Sequence, residues 1–327
     1  MTEIIKTPLI ETRDLKKYFK IGKSSYLHAV DNVNLAIHEG TTLGVVGESG
    51  CGKSTLGRTL LRLLEPTSGE VLFEGRNITE LNKFEMREMR RKMQIIFQDP
   101  YSSINPRMTV ADIIAQPMIV NNLYGSRQEI YAEVDKLMDI VGLAARLHDA
   151  YPHELDGGRR QRIGVARALA LKPKFIVCDE PVSALDVSIQ AQILNLLMDL
   201  QDEMGLTYMF ITHDLSVVKH ISDEIAVMYL GQCVERCSSK EMFRNPMHPY
   251  TKMLLAAIPV PNLSRRSNSL EVIRGEVTNP IDPKPGCRFA SRCPYATEEC
   301  NHQNQELKEV SPGHYVACAH CADGVIK

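Results

Sequence analysis

Three short runs of almost unbroken apolar residues punctuate the chain: TLGVV at 42–46, FIVC at 175–178 and YMFI at 208–211. Each is too short for a helix and lacks the alternation of a half-exposed strand, so each reads as a strand buried on both faces of a parallel sheet. Elsewhere the apolar spacing becomes helical. In KSTLGRTLLRLL (53–64) Leu56, Leu60, Leu63 and Leu64 share a face; in IQAQILNLLMDLQDEM (189–204) Ile189, Ile193, Leu196, Leu197 and Leu200 do; in EIYAEVDKLMDIVGL (129–143) the face is Ile130, Val134, Leu137, Met138 and Val141. Buried strands alternating with such helices predict β-α-β units and an α/β fold. The stretch Lys83 to Lys92 alternates charge and reads as a solvated helix face.

The chemistry sits at the ends of those strands. TLGVV runs into GESGCGKST, Gly47 to Thr55, which fits G-x-x-x-x-G-K-[ST] at every fixed position. Strand, glycine-rich turn and helix together aim backbone amides and a helix N-terminus at an anion. Gly47, Glu48, Ser49, Gly50, Cys51, Gly52 and Thr55 are then expected around the phosphates, with Lys53 reaching the outer ones and Ser54 offering its hydroxyl to Mg2+. FIVC ends in Asp179 and Glu180, and at the C-terminal edge of an open α/β sheet side chains point into the ligand crevice. Asp179 is placed to hold the magnesium shell and Glu180 to act as general base on a water. The third strand runs into His213, placed to donate to a γ-phosphate.

Composition narrows the setting. With 38 Lys+Arg against 40 Asp+Glu the net charge is -2, which argues against a general nucleic-acid binder. No run approaches the roughly 20 apolar residues of a membrane helix, and MTEIIKTPLI has no export-signal pattern, so a cytosolic chain is expected. In the cytosol nine cysteines are not a disulfide framework. Five of them fall from Cys287 onward, and seven of the seventeen prolines lie between Pro246 and Pro285. The expected division is a body of residues 1–250 with a helical subdomain at about 100–165, a proline-rich linker 251–286, and a cysteine-rich cap 287–327.

The phosphate loop, Gln98 in IFQDP, LDGGRRQRIGVARAL, FIVCDEP, SALD and THD stand in the order and approximate spacing of the ATP-binding-cassette ATPases, which the chain resembles from about residue 9 to 240. The resemblance implies a RecA-like nucleotide-binding core with an antiparallel β subdomain and an inserted helical subdomain. It implies that Phe19, or its neighbour Tyr18, stacks on adenine, and that Gln98 senses nucleotide, ligates Mg2+ and takes part in catalysis with Lys53, Glu180 and His213. Leu155, Asp156, Gly157, Gly158 and Arg159 would form the signature that closes on ATP bound to a second subunit. Ser183 to Asp186 would bridge the subunits. One departure matters: the family's signature is LSGGQ and this one is LDGGR. A carboxylate at Asp156 would repel a γ-phosphate, or cap the helix and occupy its amides itself, so the composite site completed by this signature is expected to work poorly.

KEMFRNPMHPYTKMLLAAIP (240–259) and the terminal cysteines resemble the ATPases of oligopeptide and dipeptide importers. That resemblance implies an iron–sulfur centre on Cys287, Cys293, Cys300 and Cys318, with Cys321 as alternate to Cys318. Four thiolates hold a four-iron four-sulfur cluster or a tetrahedral zinc ion alike; the spacing favours the cluster. The implied assembly has a second, related ATPase subunit, two membrane permeases and an external peptide-binding protein, with this chain peripheral on the cytoplasmic face of the membrane. The ATPase of another nutrient importer is the nearest alternative. A chromosome or DNA-repair ATPase would need a long insertion before the signature, and a translation factor two cassettes.

Overall fold

The computed structural model describes residues 7–257 and 280–322. Their strands are β1 Ile10–Ile21, β2 Ser25–Ile37, β3 Thr42–Val46, β4 Ser68–Phe73, β5 Arg76–Asn77, β6 Met93–Ile96, β7 Phe175–Asp179, β8 Thr207–Ile211, β9 Glu224–Tyr229, β10 Gln232–Ser238, β11 Lys308–Ser311 and β12 His314–Val316. They fall in two compact units, one of residues 1–37, 42–79 and 212–327, the other of 38–41 and 80–211.

The first unit holds an antiparallel sheet in the order β2-β1-β4-β5, the β subdomain that the resemblance implies. Its long β1–β2 hairpin runs from Ile10↔Ile37 to Ile21↔Ser25 and buries Ile10, Leu15, Val30 and Val33. The same unit holds β3, all buried, parallel to β9, and then β10, β12 and β11 antiparallel in turn. Gly44 in β3 lets the helix Leu215–Ile221 approach, since a Cβ there would lie 2.4 Å from Val218 Cγ1. The terminal hairpin β11–β12 therefore extends the strand layer that carries the phosphate loop, through Glu235↔Val316 and Arg236↔Tyr315. The segment read as a separate cap belongs to this unit. Of the expected linker, Pro249–Ala256 is a helix capped by His248, and residues 258–279 lie outside the described ones.

The second unit holds β8, β7 and β6, parallel in that order. Every residue of β7 and β8 is buried, the pattern of strands covered on both faces. Its helices include Val110–Val120, Arg127–Ile140 and Gly157–Leu169, which fall in or overlap the 100–165 stretch, and Val187–Met204 beyond it. The helix Arg127–Ile140 is capped by Ser126 and buries Ile130, Val134, Leu137 and Met138, the face that the spacing predicts. One prediction overshoots. The helix after the phosphate loop stops at Leu60, because Arg62 adopts φ 50, and Leu63 is left 47% exposed.

Candidate functional site

β3 leads into Gly47, and the loop closes through glycines whose conformations side chains resist: Gly47 at φ 152, Gly50 at φ 78 and Gly52 at φ 105. Space is as restrictive as conformation. A Cβ on Gly47 would lie 2.2 Å from the Met228 carbonyl oxygen, and one on Gly52 1.9 Å from that of Ala29. Gly52 precedes the helix Lys53–Leu60 without any side-chain cap. Lys53 is buried and its Nζ donates to the carbonyls of Gly47 at 2.8 Å and Glu48 at 3.0 Å, so its ammonium lies along the inside of the loop. Burial raises the Cys51 thiol above its usual value, the state of a packed, unreactive thiol. Tyr18 stacks on His28 with 3.8 Å between ring centroids and donates its hydroxyl to Asp31, while Phe19 is half-buried beside Lys17.

In the second unit β7 ends on Asp179, 1% exposed, and Glu180 follows in a left-handed conformation at φ 48, held by its amide donating to Ile211 O at 3.0 Å. A non-glycine residue pays in strain for that turn, and such strain clusters at working sites. Gln98 Nε2 donates to Glu180 Oε2 at 2.9 Å, so two residues 82 positions apart are brought together. Ser183 Oγ donates to Glu180 O at 3.1 Å, and Asp186 begins the helix Val187–Met204 without a side-chain cap bond. His213, in the first unit, is exposed, one residue after Thr212, whose amide donates to Val45 O at 3.2 Å.

The signature takes the second of the two forms expected for a carboxylate there. Asp156 is the N-cap of the helix Gly157–Leu169: its Oδ1 accepts from Arg159 N–H at 2.8 Å, and Arg159 Nη1 lies 3.3 Å from Oδ2. Leu155 is buried. A Cβ on Gly157 would lie 3.1 Å from Leu185 Cδ2, and one on Gly158 2.6 Å from Ile189 Cγ2 on the following helix.

The family model described as "ABC transporter" matches residues 30–183, which carry the phosphate loop, Gln98, the signature and the Asp179–Glu180 edge. The putative oligopeptide transport ATP-binding protein YkfD of Bacillus subtilis is 52% identical over 312 residues, 95% of each chain. This chain belongs to the ATP-binding-cassette transporter family. It is an ATPase. The dipeptide transport ATP-binding protein DppF of Haemophilus influenzae is 49% identical, over 98% of this chain and 99% of its own. Among solved structures, a post-hydrolysis dimer of an ATP-binding cassette bound to ADP and Pi superimposes with a TM-score of 0.64 at 30% identity, over 70% of this chain and 98% of its own.

A second family model, "Oligopeptide/dipeptide transporter, C-terminal region", matches residues 234–300 of this cassette ATPase. Cys287 and Cys293 pack against an aromatic cluster in which Phe289 meets Tyr229 edge-on at 5.2 Å and Tyr250 at 5.4 Å. Cys287 N–H donates to Cys300 O at 2.7 Å, and burial raises the Cys287 and Cys293 thiols above their usual value, with the neighbouring cysteines adding to it. Cys321 is buried and its thiol donates to Met247 O at 3.2 Å.

Sequence reasoning misses several partners here. Cys237 shares a buried group with Glu235 and His314, the His314 Nε2 lying 2.8 Å from Glu235 Oε1. It also misses Arg288 and Arg292, which meet Asp31 and Glu48 respectively. The one available signal is that Cys287 and Cys293 bracket both arginines.

Proposed function

We propose that this chain is the ATP-hydrolysing subunit of a peptide importer, working at the cytoplasmic face of the membrane with two permeases, an external peptide-binding protein and a second, related ATPase. The reading is carried by the phosphate loop itself, whose helix follows Gly52 without a side-chain cap and whose lysine lines its interior. No described helix is long and apolar enough to cross a membrane; in this reading the permeases form the translocation path.

In this reading Gly47 to Thr55 wrap the phosphates of ATP, Lys53 exchanges its two carbonyl partners for the outer phosphates, and Phe19 or Tyr18 meets the adenine. The partner held by Tyr18 at one ring face, His28, favours Phe19. By the resemblance, Ser54, Gln98 and Asp179 would offer hydroxyl, amide and carboxylate oxygens, the hard donors Mg2+ takes. Bound there, Mg2+ would neutralise charge on the outer phosphates. Gln98 fixes the Glu180 carboxylate through its amide nitrogen, and Glu180 accepts a proton from the attacking water while His213 donates to the γ-phosphate. Leu155 to Arg159 close on the other subunit's nucleotide, and Ser183 to Asp186 bridge the pair. The capped signature supports an unlike partner, because two identical chains would place the same Asp156 beside both nucleotides.

Cys287, Cys293, Cys300 and Cys318 fit a thiolate-held centre. Among the described residues no three of their sulfurs lie within 4.8 Å of one another. A tetrahedral zinc site, with Zn–S about 2.3 Å, needs sulfurs about 3.8 Å apart. The four-iron four-sulfur cluster, in a structural role, is proposed on the resemblance alone. Anaerobic purification of the full chain should recover iron and sulfide together; zinc without sulfide would replace the cluster with the single ion.

The transport reading is tested with the complex in proteoliposomes. Glu180→Gln should leave nucleotide binding intact and lower ATP turnover about 10²–10⁴-fold, as loss of a general base does, with peptide uptake falling alongside. Full uptake with Glu180→Gln would refute the assignment of the base.

A further inference from the structure

We propose that Arg292 is a positioning residue for the nucleotide, acting through Glu48 of the phosphate loop, and that it makes nucleotide affinity depend on the order of the C-terminal segment. The inference rests on the reading of Gly47 to Thr55 as the phosphate-binding loop.

Glu48 is the second residue of that loop, and a carboxylate there stands against the charge of an incoming phosphate. Arg292 removes the conflict by holding it in a two-pronged pair, Nη1 to Oε2 and Nη2 to Oε1, both at 2.9 Å. The pair is set in protein: the side chains are 4% exposed at Arg292 and 19% at Glu48. Arg292 Nη1 also lies 3.3 Å from the Tyr229 hydroxyl, and the Glu48 amide donates to the Tyr250 hydroxyl at 2.9 Å. Side chain and backbone of Glu48 are thus both anchored by the cluster that Phe289 packs against. The bond to Glu48 raises Arg292 further above its ordinary basicity, so it carries its charge throughout the working range.

The segment that supplies Arg292 makes a second, parallel contact. Arg288 donates to the Leu230 carbonyl and pairs with Asp31, which also accepts from the Tyr18 hydroxyl. Cys287 and Cys293 stand immediately outside the two arginines. Anything that fixes those thiols fixes the starting points of both side chains, whichever group they hold. Order in the terminal segment thereby reaches the loop around the phosphates at one point and the tyrosine beside the expected adenine site at another.

The test is a double-substitution cycle on the full chain, read as equilibrium affinity for Mg-ATP and as KM and kcat in the assembled complex. Arg292→Gln leaves the Glu48 charge uncompensated beside the phosphates, so affinity should weaken about fivefold or more, within the range of site-to-site coupling, with KM rising and kcat held. Glu48→Gln in the Arg292→Gln background removes that charge and should restore most of the affinity. A merely structural role for Arg292 would lower thermal stability without being rescued by the second change. If Arg292→Gln does not fold, Arg292→Lys, which keeps the charge but loses the fork, should show a smaller rise in KM, again reversed by Glu48→Gln. Unchanged affinity in the folded Arg292 variants, or additive losses in the double variant, would overturn the proposal. Lys53→Ala separates the two layers: lost affinity in Lys53→Ala with none lost in the Arg292 variants overturns the coupling alone, whereas undiminished affinity in Lys53→Ala overturns the loop reading and the coupling with it.

Discussion

The helix after the phosphate loop, Lys53–Leu60, starts from Gly52 in a left-handed conformation without a side-chain cap. The helix after the signature, Gly157–Leu169, starts from Asp156, whose carboxylate takes the Arg159 amide at 2.8 Å. Both helices present the same backbone device, a cluster of N–H groups unused by the helix and the positive end of its dipole. An anion can be held by such amides only while they are unclaimed. One residue ahead of the helix therefore decides its use: glycine leaves the device for a ligand, and aspartate turns it inward to stabilise the helix. In the proposed reading, the cassette ATPase carries one terminus left open for phosphate and one closed by its own aspartate.

The largest expected effect lies at the open end. Gly52→Ala places a Cβ 1.9 Å from a backbone oxygen at a residue with φ 105, and neither atom is the tip of a flexible side chain. The strain of such a residue, about 1–3 kcal/mol, adds to the clash, so titration with a non-hydrolysable ATP analogue should show affinity reduced at least about tenfold. Unaltered binding would mean that the glycine-led terminus is not what holds the phosphates, and the contrast would lose its first half.

The closed end gives a smaller change of opposite sign. Asp156→Ser with Arg159→Gln removes the carboxylate and its paired guanidinium, and the ATPase rate of the assembled complex should rise up to about tenfold, the scale of one charge at a helix terminus. No gain would show that the capped terminus does not limit turnover, and the argument for an unlike partner subunit would lose its support.

Both termini were legible in the sequence because each is contiguous: nine residues spell the phosphate loop, and five spell the signature with its odd aspartate. The same holds for the buried strands, where apolar runs of four or five residues leave little choice of environment. What sequence could not carry is pairing across long separations. Arg292 meets Glu48 across 244 positions, and Cys237 lies by His314 only because β10 and β12 pair in register. Spacing likewise overran the helix after the loop to Leu64, because apolar periodicity carries no sign of the left-handed turn at Arg62. A reading by segments likewise detached the C-terminal cysteines as a cap, since the strand that fastens them, β12, is three residues long and has no pattern of its own.

Asp156→Asn gives the smallest effect and the sharpest division of causes. Asparagine caps a helix about as well as aspartate, so Arg159 N–H should stay occupied and melting temperature should hardly move, while the negative charge disappears. If charge is what disfavours the facing γ-phosphate, this one change should recover about threefold of the gain expected from the double substitution, and the recovered part should shrink as salt is raised. If the occupied amide is the obstacle, Asp156→Asn should recover nothing, and Asp156→Ala should recover activity at a loss of about 1 kcal/mol in stability. We expect the first outcome. Arg159 Nη1 sits 3.3 Å from Oδ2 on an exposed pair, and exposed pairs cancel charge only weakly, so most of the carboxylate's field still faces whatever approaches the helix.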